Sequence, residues 1–129
     1  MTAPTTATEL FAGHPETLRI YRAVTRALAP LEDVEEVVSR SQIAFRRHRT
    51  FAYLWRPGQY LRSEVPAVLS VALDERLTSP RFKEVAHPSP RVWMHHLELS
   101  DPAQVDQEVH EWLSQAWRQA RPGAGSSPA

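Results

Sequence analysis

Apolar positions along the chain follow two periods, one helical and one extended. Leu18, Tyr21, Val24 and Leu28 recur at three- and four-residue spacing and form one stripe of a helix. Pro15 suits the first helical position, where the missing amide hydrogen would have no partner. Glu16 complements the positive end of the helix dipole, and Pro30 stops the element. From Val34 to Leu99 the pattern alternates, with β-branched and aromatic residues enriched. It predicts strands over Val34–Ser39, Gln42–Arg47, Thr50–Arg56, Pro66–Leu73 and Val92–Leu99. His48 and Arg49 leave room only for a tight hairpin between the second and third, and Pro57-Gly58 is a turn signal ending the third. Residues 79–90 hold Pro80, Pro88 and Pro90 and read as loop around at most one short extended piece.

Asp101 followed by Pro102 predicts the start of a second helix, with Val105, Val109, Trp112, Leu113 and Ala116 on its buried face. Residues 1–13 read as a flexible arm tethered by Leu10 and Phe11, residues 14–121 as one domain, and the Pro/Gly/Ser-rich residues 122–129 as a flexible tail. The expected architecture is α+β: an antiparallel meander of about five strands, with an N-terminal and a C-terminal helix on one face. The other face is left open.

Alternation sorts the strand residues between the two faces. Ile43, Phe45, Leu69, Val71, Leu73, Trp93, His95, Leu97 and Leu99 fall toward the core. Gln42, Ala44, Arg46, Val68, Ser70, Ala72, Met94, His96 and Glu98 fall on the open side. Phe51, Tyr53 and Trp55 fit either face, and a one-residue slip would reverse every assignment.

Composition narrows the function classes. The 129 residues include no cysteine, so disulfides, thiolate nucleophiles and cysteine-ligated metals are excluded. No apolar run reaches membrane-spanning length, and the polar, Thr-rich start lacks the order of a secretory signal, so a cytoplasmic location is the default expectation. Net charge is zero, which argues against a dedicated nucleic-acid coat, yet charge is unevenly placed. Between Glu36 and Glu64 there is no acid, while Arg40, Arg46, Arg47, Arg49, Arg56 and Arg62 all occur there.

That stretch, with Phe45, Phe51, Tyr53, Trp55 and Tyr60, has the composition of a single-strand nucleic-acid binder, arginines on phosphates and rings on bases. The alternative is a hairpin whose aromatics are core and whose arginines are solvated or paired. His95 and His96 are adjacent, so on a strand they point to opposite faces and do not share one metal. His95 reads as a core histidine and His96 as an acid–base group or anion contact. Ser41 and Ser79 are the hydroxyls considered as nucleophiles beside His96, although nothing in their spacing demands it. No phosphate-binding glycine loop and no Gly-x-Ser-x-Gly elbow occurs. No cofactor and no metal is expected.

Three segments together carry a family resemblance: 39–45 (Ser-Arg-Ser-Gln-Ile-Ala-Phe), 79–82 (Ser-Pro-Arg-Phe), and 94–99 (Met-His-His-Leu-Glu-Leu) leading to Asp106-Gln107-Glu108-Val109 and Trp112-Leu113. The chain resembles, from His14 to Arg121, the family known as domain of unknown function number 5655. The resemblance implies a small α+β domain, alone or joined to other modules, and no assigned activity. Family members often carry lysine where this chain has Arg40, which keeps the charge but removes any role for a neutral amine. Arg81 and Lys83 beside Ser79 have the chemistry to hold a carboxylate or phosphate, and equally to cap a neighbouring turn or pair with Glu84. Because the family motif includes Ser79 and Arg81, the resemblance favours the ligand reading, with Arg40 as companion.

The leading expectation is a non-enzymatic binding module for an anionic small molecule or a partner's acidic segment. Arg40, Gln42, Arg46, Ser79, Arg81 and Lys83 would supply charge and hydrogen bonds, with Trp55 and His96 shaping the site. The alternatives are a small enzyme using His96 beside an arginine anion anchor, and a weak single-stranded nucleic-acid binder. Homodimerisation through the open face is compatible with all three.

Overall fold

A computed structural model describes residues 3–59 and 62–121 of the chain. The expected tail at 122–129 and the aromatic Tyr60 lie outside the described residues.

Ala7–Leu10 forms one helical turn (α1), capped by the Thr6 hydroxyl, which accepts from the Glu9 N–H. Ala7 and Phe11 are buried against the core, so the expected arm contains a docked turn at 7–11. Pro15–Leu28 forms α2, with Pro15 in its first turn. Its buried face is Thr17, Ile20, Ala23, Val24, Ala27 and Leu28, turned slightly from the predicted stripe, with Leu18 and Tyr21 packed at the margin. The buried Thr17 hydroxyl donates to the Pro66 carbonyl at 2.7 Å.

Six antiparallel strands follow: β1 (Glu35–Val38), β2 (Ile43–Arg47), β3 (Arg49–Trp55), β4 (Ala67–Leu73), β5 (Phe82–Ser89) and β6 (Val92–Leu99), in the order β1-β2-β3-β4-β6-β5. The strand missing from the sequence reading is β5. It hairpins onto the outer side of β6, so the meander runs β1–β4 and then β6. An edge strand needs only one row of ladder bonds, which lets Pro88 sit where the register shifts between Ala86 and Ser89. Its polar, mostly exposed residues gave no alternation to read.

The register fixes the two faces. Ile43, Leu54, Leu69, Leu97 and Phe82 pair in one row across five strands. Phe45, Ala52, Val71 and His95 form the next. These side chains join the buried residues of α2 and α3 in one core, so both helices cover the same sheet face. The ambiguity in β3 resolves by a bulge. Phe45 pairs with Ala52 and Arg46 with Thr50, leaving Phe51 without a β2 partner. The extra residue re-aims its ring into the core, where it is 1% exposed. Tyr53 and Trp55 stay on the open face.

The last helix, α3, is Gln107–Gln119 and not a continuation of the turn at Asp101. Asp101 caps a short 3-10 turn, Pro102–Gln104, and Gln104 reaches back to the Asp101 N–H as a capping box. Asp106 then caps α3 by accepting from the Val109 N–H at 3.2 Å. Two Asp caps in one stretch made the first look like the helix start.

Candidate functional site

On the open face one row of residues crosses the sheet: Val37, Ala44, Tyr53, Ser70, His96 and Glu84. A polar chain lies at its centre. The Trp55 indole N–H donates to Ser70 Oγ at 3.0 Å, and Ser70 Oγ lies 2.7 Å from His96 Nδ1. The Trp55 and His96 rings meet edge to face at 6.4 Å. Ser70 is only 2% exposed, beneath this face. Oγ accepts from Trp55 and keeps its own hydrogen to donate to His96 Nδ1, the arrangement in which His96 Nε2 carries the ring hydrogen. Burial pushes the His96 pKa down, opposed by the Glu84 carboxylate across the β5–β6 ladder.

The sequence-predicted residues fall into separate places. Trp55 and His96 come together, joined by Ser70, which the sequence places with Gln42, Arg46 and His96 on the polar open face but which is not among the expected ligand contacts. Arg40 sits in the β1–β2 turn, and Gln42 just precedes β2 with its N–H on Ser39 Oγ. Arg46 is exposed, 3.9 Å from Glu35. Ser79 Oγ accepts from the Arg81 N–H. Lys83 is exposed on β5. Arg81 and Arg40 are not companions: β2 and β5 lie four ladder steps apart, about 19 Å at ordinary strand spacing. Arg81 instead donates to Asp106, Glu108 and the Gln104 carbonyl, at 2.8 to 3.1 Å. No arginine stands next to His96 in its cross-strand row; Glu84 does.

The basic stretch is also divided. Arg47 stacks over the Trp117 ring at 3.8 Å and donates to the Trp117 carbonyl, and Arg49 donates to the Gln119 carbonyl at 2.7 Å. Both meet the negative end of α3. Phe45 and Phe51 are buried.

His96 lines none of four concavities that described residues form. At the N-terminus of α2, a pocket of about 340 Å³ is bordered by His14 and Arg56 and also by Glu16 and Glu64. A broad hollow of about 530 Å³ brings Arg40 beside Arg56 and Gln59, with Glu9 on its rim. A third, near 280 Å³, lies between Leu28, Phe45 and Glu36.

The fourth has a different character. It occupies about 340 Å³ where β3 begins and β4 ends, and the β5–β6 turn closes its side. Phe51, Tyr53, Leu73 and Met94 make its walls, Arg49 and Arg91 flank it, and among the described residues no carboxylate lines it. Arg91 carries no signal in the sequence, because the turn that places it belongs to a hairpin whose first strand has a proline-containing, loop-like pattern. Recognising Phe82–Ser89 as an edge strand was the missing signal.

Among the described residues no group of three or more His, Asp and Glu side chains is placed to hold a metal ion. No described helix is long and apolar enough to cross a membrane. Residues 7–120 match the family described as Domain of unknown function (DUF5655), and the chain belongs to it. Neither the curated proteins nor the solved structures provide a match.

Proposed function

We propose that the chain is a non-enzymatic binding module that receives a small anionic molecule in the arginine-flanked pocket at the end of the sheet. The observation that carries this reading is the lining of that pocket by the described residues: Arg49 and Arg91, an apolar floor and no carboxylate. The other three concavities each include at least one glutamate, which opposes an anion. The volume falls within the usual range for a small-molecule pocket, roughly 300–1,000 Å³. The expected anion anchors at Arg81 and Arg46 are already engaged with acids. An enzyme built on His96 has less support, because a carboxylate and not an arginine is its cross-strand neighbour. Stacking on bases has less support too, since two of the rings it needs are core.

The test is a thermal-shift series on the purified chain with phosphate, nucleotides and small carboxylates, each at low and moderate salt. A ligand of the folded state raises the melting temperature by mass action. At least one anion should shift it, and Arg91→Ala, a change at an exposed turn residue, should reduce that shift without lowering the ligand-free melting temperature. A panel without any shift, or a shift indifferent to Arg91, overturns the reading.

A further inference from the structure

We infer that the molecule this pocket takes is a monocarboxylate with a compact apolar body, a single ring or a short acyl chain, and not a phosphate. This rests on the binding reading above and narrows it.

The argument is the gradient of exposure across the lining. Phe51 and Leu73 are 1% and 2% exposed and form the floor, whereas Arg49 and Arg91 are exposed at the mouth. Tyr53 and Met94 are half-buried between them. A ligand that satisfies both ends places its apolar part inward and its charge outward.

Phosphate fails at the inner end. A dianion with strongly hydrated oxygens loses water against aromatic and aliphatic walls that return few hydrogen bonds. A carboxylate needs only one edge of donors, and the planar fork of a guanidinium offers two parallel N–H groups to its two oxygens. Arg49 is already engaged, giving one nitrogen to the Gln119 carbonyl, so the direct contact is assigned to Arg91. The apolar body gains by burial at about 25 cal/mol per Å² of surface removed from water. Charge alone therefore accounts for only part of the affinity, and an uncharged analogue keeps the rest.

The experiment uses isothermal titration and amide NMR on the full chain with four probes: phenylacetate, hexanoate, inorganic phosphate and 2-phenylethanol. Phenylacetate or hexanoate should bind and shift the amide signals of Tyr53, Ala72 and Met94. 2-Phenylethanol should bind at the same signals about tenfold more weakly, and phosphate should leave them unmoved. Arg91→Glu should weaken the carboxylate about tenfold while leaving 2-phenylethanol unchanged, a comparison that also shows the variant is folded. Ala72→Leu, which narrows the pocket without touching charge, should weaken both. If phosphate binds through Arg91 and the carboxylates do not, the ligand class is wrong while the anion-binding reading stands. If phenylacetate and 2-phenylethanol bind equally, or none of the four binds, both fall.

Discussion

Arg81 Nη1 lies 3.0 and 3.1 Å from the two carboxylate oxygens of Asp106, the residue that caps α3. The same nitrogen reaches Glu108 at 3.0 Å, and Nη2 reaches the Gln104 carbonyl. The guanidinium thus fastens the entry of β5 to the entry of the last helix, above the Trp112 ring. Burial disfavours ionised Asp106, but hydrogen bonds from Arg81 and from the Val109 N–H outweigh it and hold the carboxyl below its usual range. Arg81→Ala should therefore lower stability, by about 1 kcal/mol given the partial exposure of the acids. The contribution of Asp106 is present above its unfolded pKa and disappears as pH falls through the lower folded value. Denaturant melts of Arg81→Ala and wild type at neutral pH and near pH 3 check this: the gap between them should shrink in acid. An unchanged midpoint at neutral pH would return Arg81 to the pool of free ligand contacts.

Most of the fold was legible because its periods are strong. Five of the six strands and both long helices show their period in the sequence, and the register agrees with the predicted faces of β2, β4 and β6. What was not legible has local causes. The bulge at Phe51 breaks the period of two, so Phe51 and Tyr53 separate where alternation keeps them together. The edge strand β5 has little apolar pattern and contains Pro88. Of the site, Trp55 and His96 were legible as candidates. Ser70 between them and Arg91 at the hairpin depend on strand neighbours remote in sequence. Arg81 was read as a ligand contact because a motif shows that a charge matters without showing what it faces.

His95 and His96 should behave differently in acid despite their adjacency. His95 is fully buried; its Nε2 accepts from the Leu77 N–H at 3.0 Å and its Nδ1–H donates to the Val71 carbonyl at 3.3 Å. Protonating Nε2 turns that acceptor into a donor facing a donor. Burial accordingly pushes the His95 pKa below its usual 6.5, with the backbone hydrogen bonds opposing only in part. A base depressed on folding gives stability that is complete above the unfolded pKa and is lost as pH falls through the folded one. Melting temperature should drop below about pH 6.5, and His95→Gln should flatten that loss while costing about 1–3 kcal/mol at pH 7.5 through an imperfectly satisfied Leu77 N–H. An acid limb identical in both proteins would place the titration elsewhere.

The hydrogen-bond order from Trp55 through Ser70 to His96 predicts a tautomer. With Oγ accepting from the indole, the neutral His96 ring carries its hydrogen on Nε2, and ¹⁵N chemical shifts at pH 8 should report it. Ser70→Ala removes the hydroxyl that accepts from the Trp55 N–H and meets His96 Nδ1, on a face that half buries both, and should cost about 1–2 kcal/mol. Ser70→Thr retains the hydroxyl and should restore most of that stability. A ring hydrogen found on Nδ1 would instead make Ser70 Oγ the acceptor of both bonds.

Arg47 and Trp117 offer the sharpest contrast between a fold contact and a nucleic-acid contact. The guanidinium lies 3.8 Å over the ring and donates to the Trp117 carbonyl, and the indole N–H in turn donates to the Glu32 carbonyl at 2.7 Å. The indole is therefore also held at its edge, and the stack is formed in advance. Against this, Arg47 Nε is buried with no hydrogen-bond partner among the described residues, which offsets part of the gain. The net effect of Arg47→Ala should be a loss of about 1 kcal/mol, from the cation–π contact and from the charge at the negative end of α3. Arg47→Lys keeps the charge but not the planar stack, and should fall between the two. Thermal melts of the three proteins, run beside binding of a short single-stranded oligonucleotide at two salt concentrations, decide the role. A lowered melting temperature with oligonucleotide affinity unchanged assigns Arg47 to the helix latch. An unchanged melting temperature with a salt-dependent loss of affinity assigns it to phosphates.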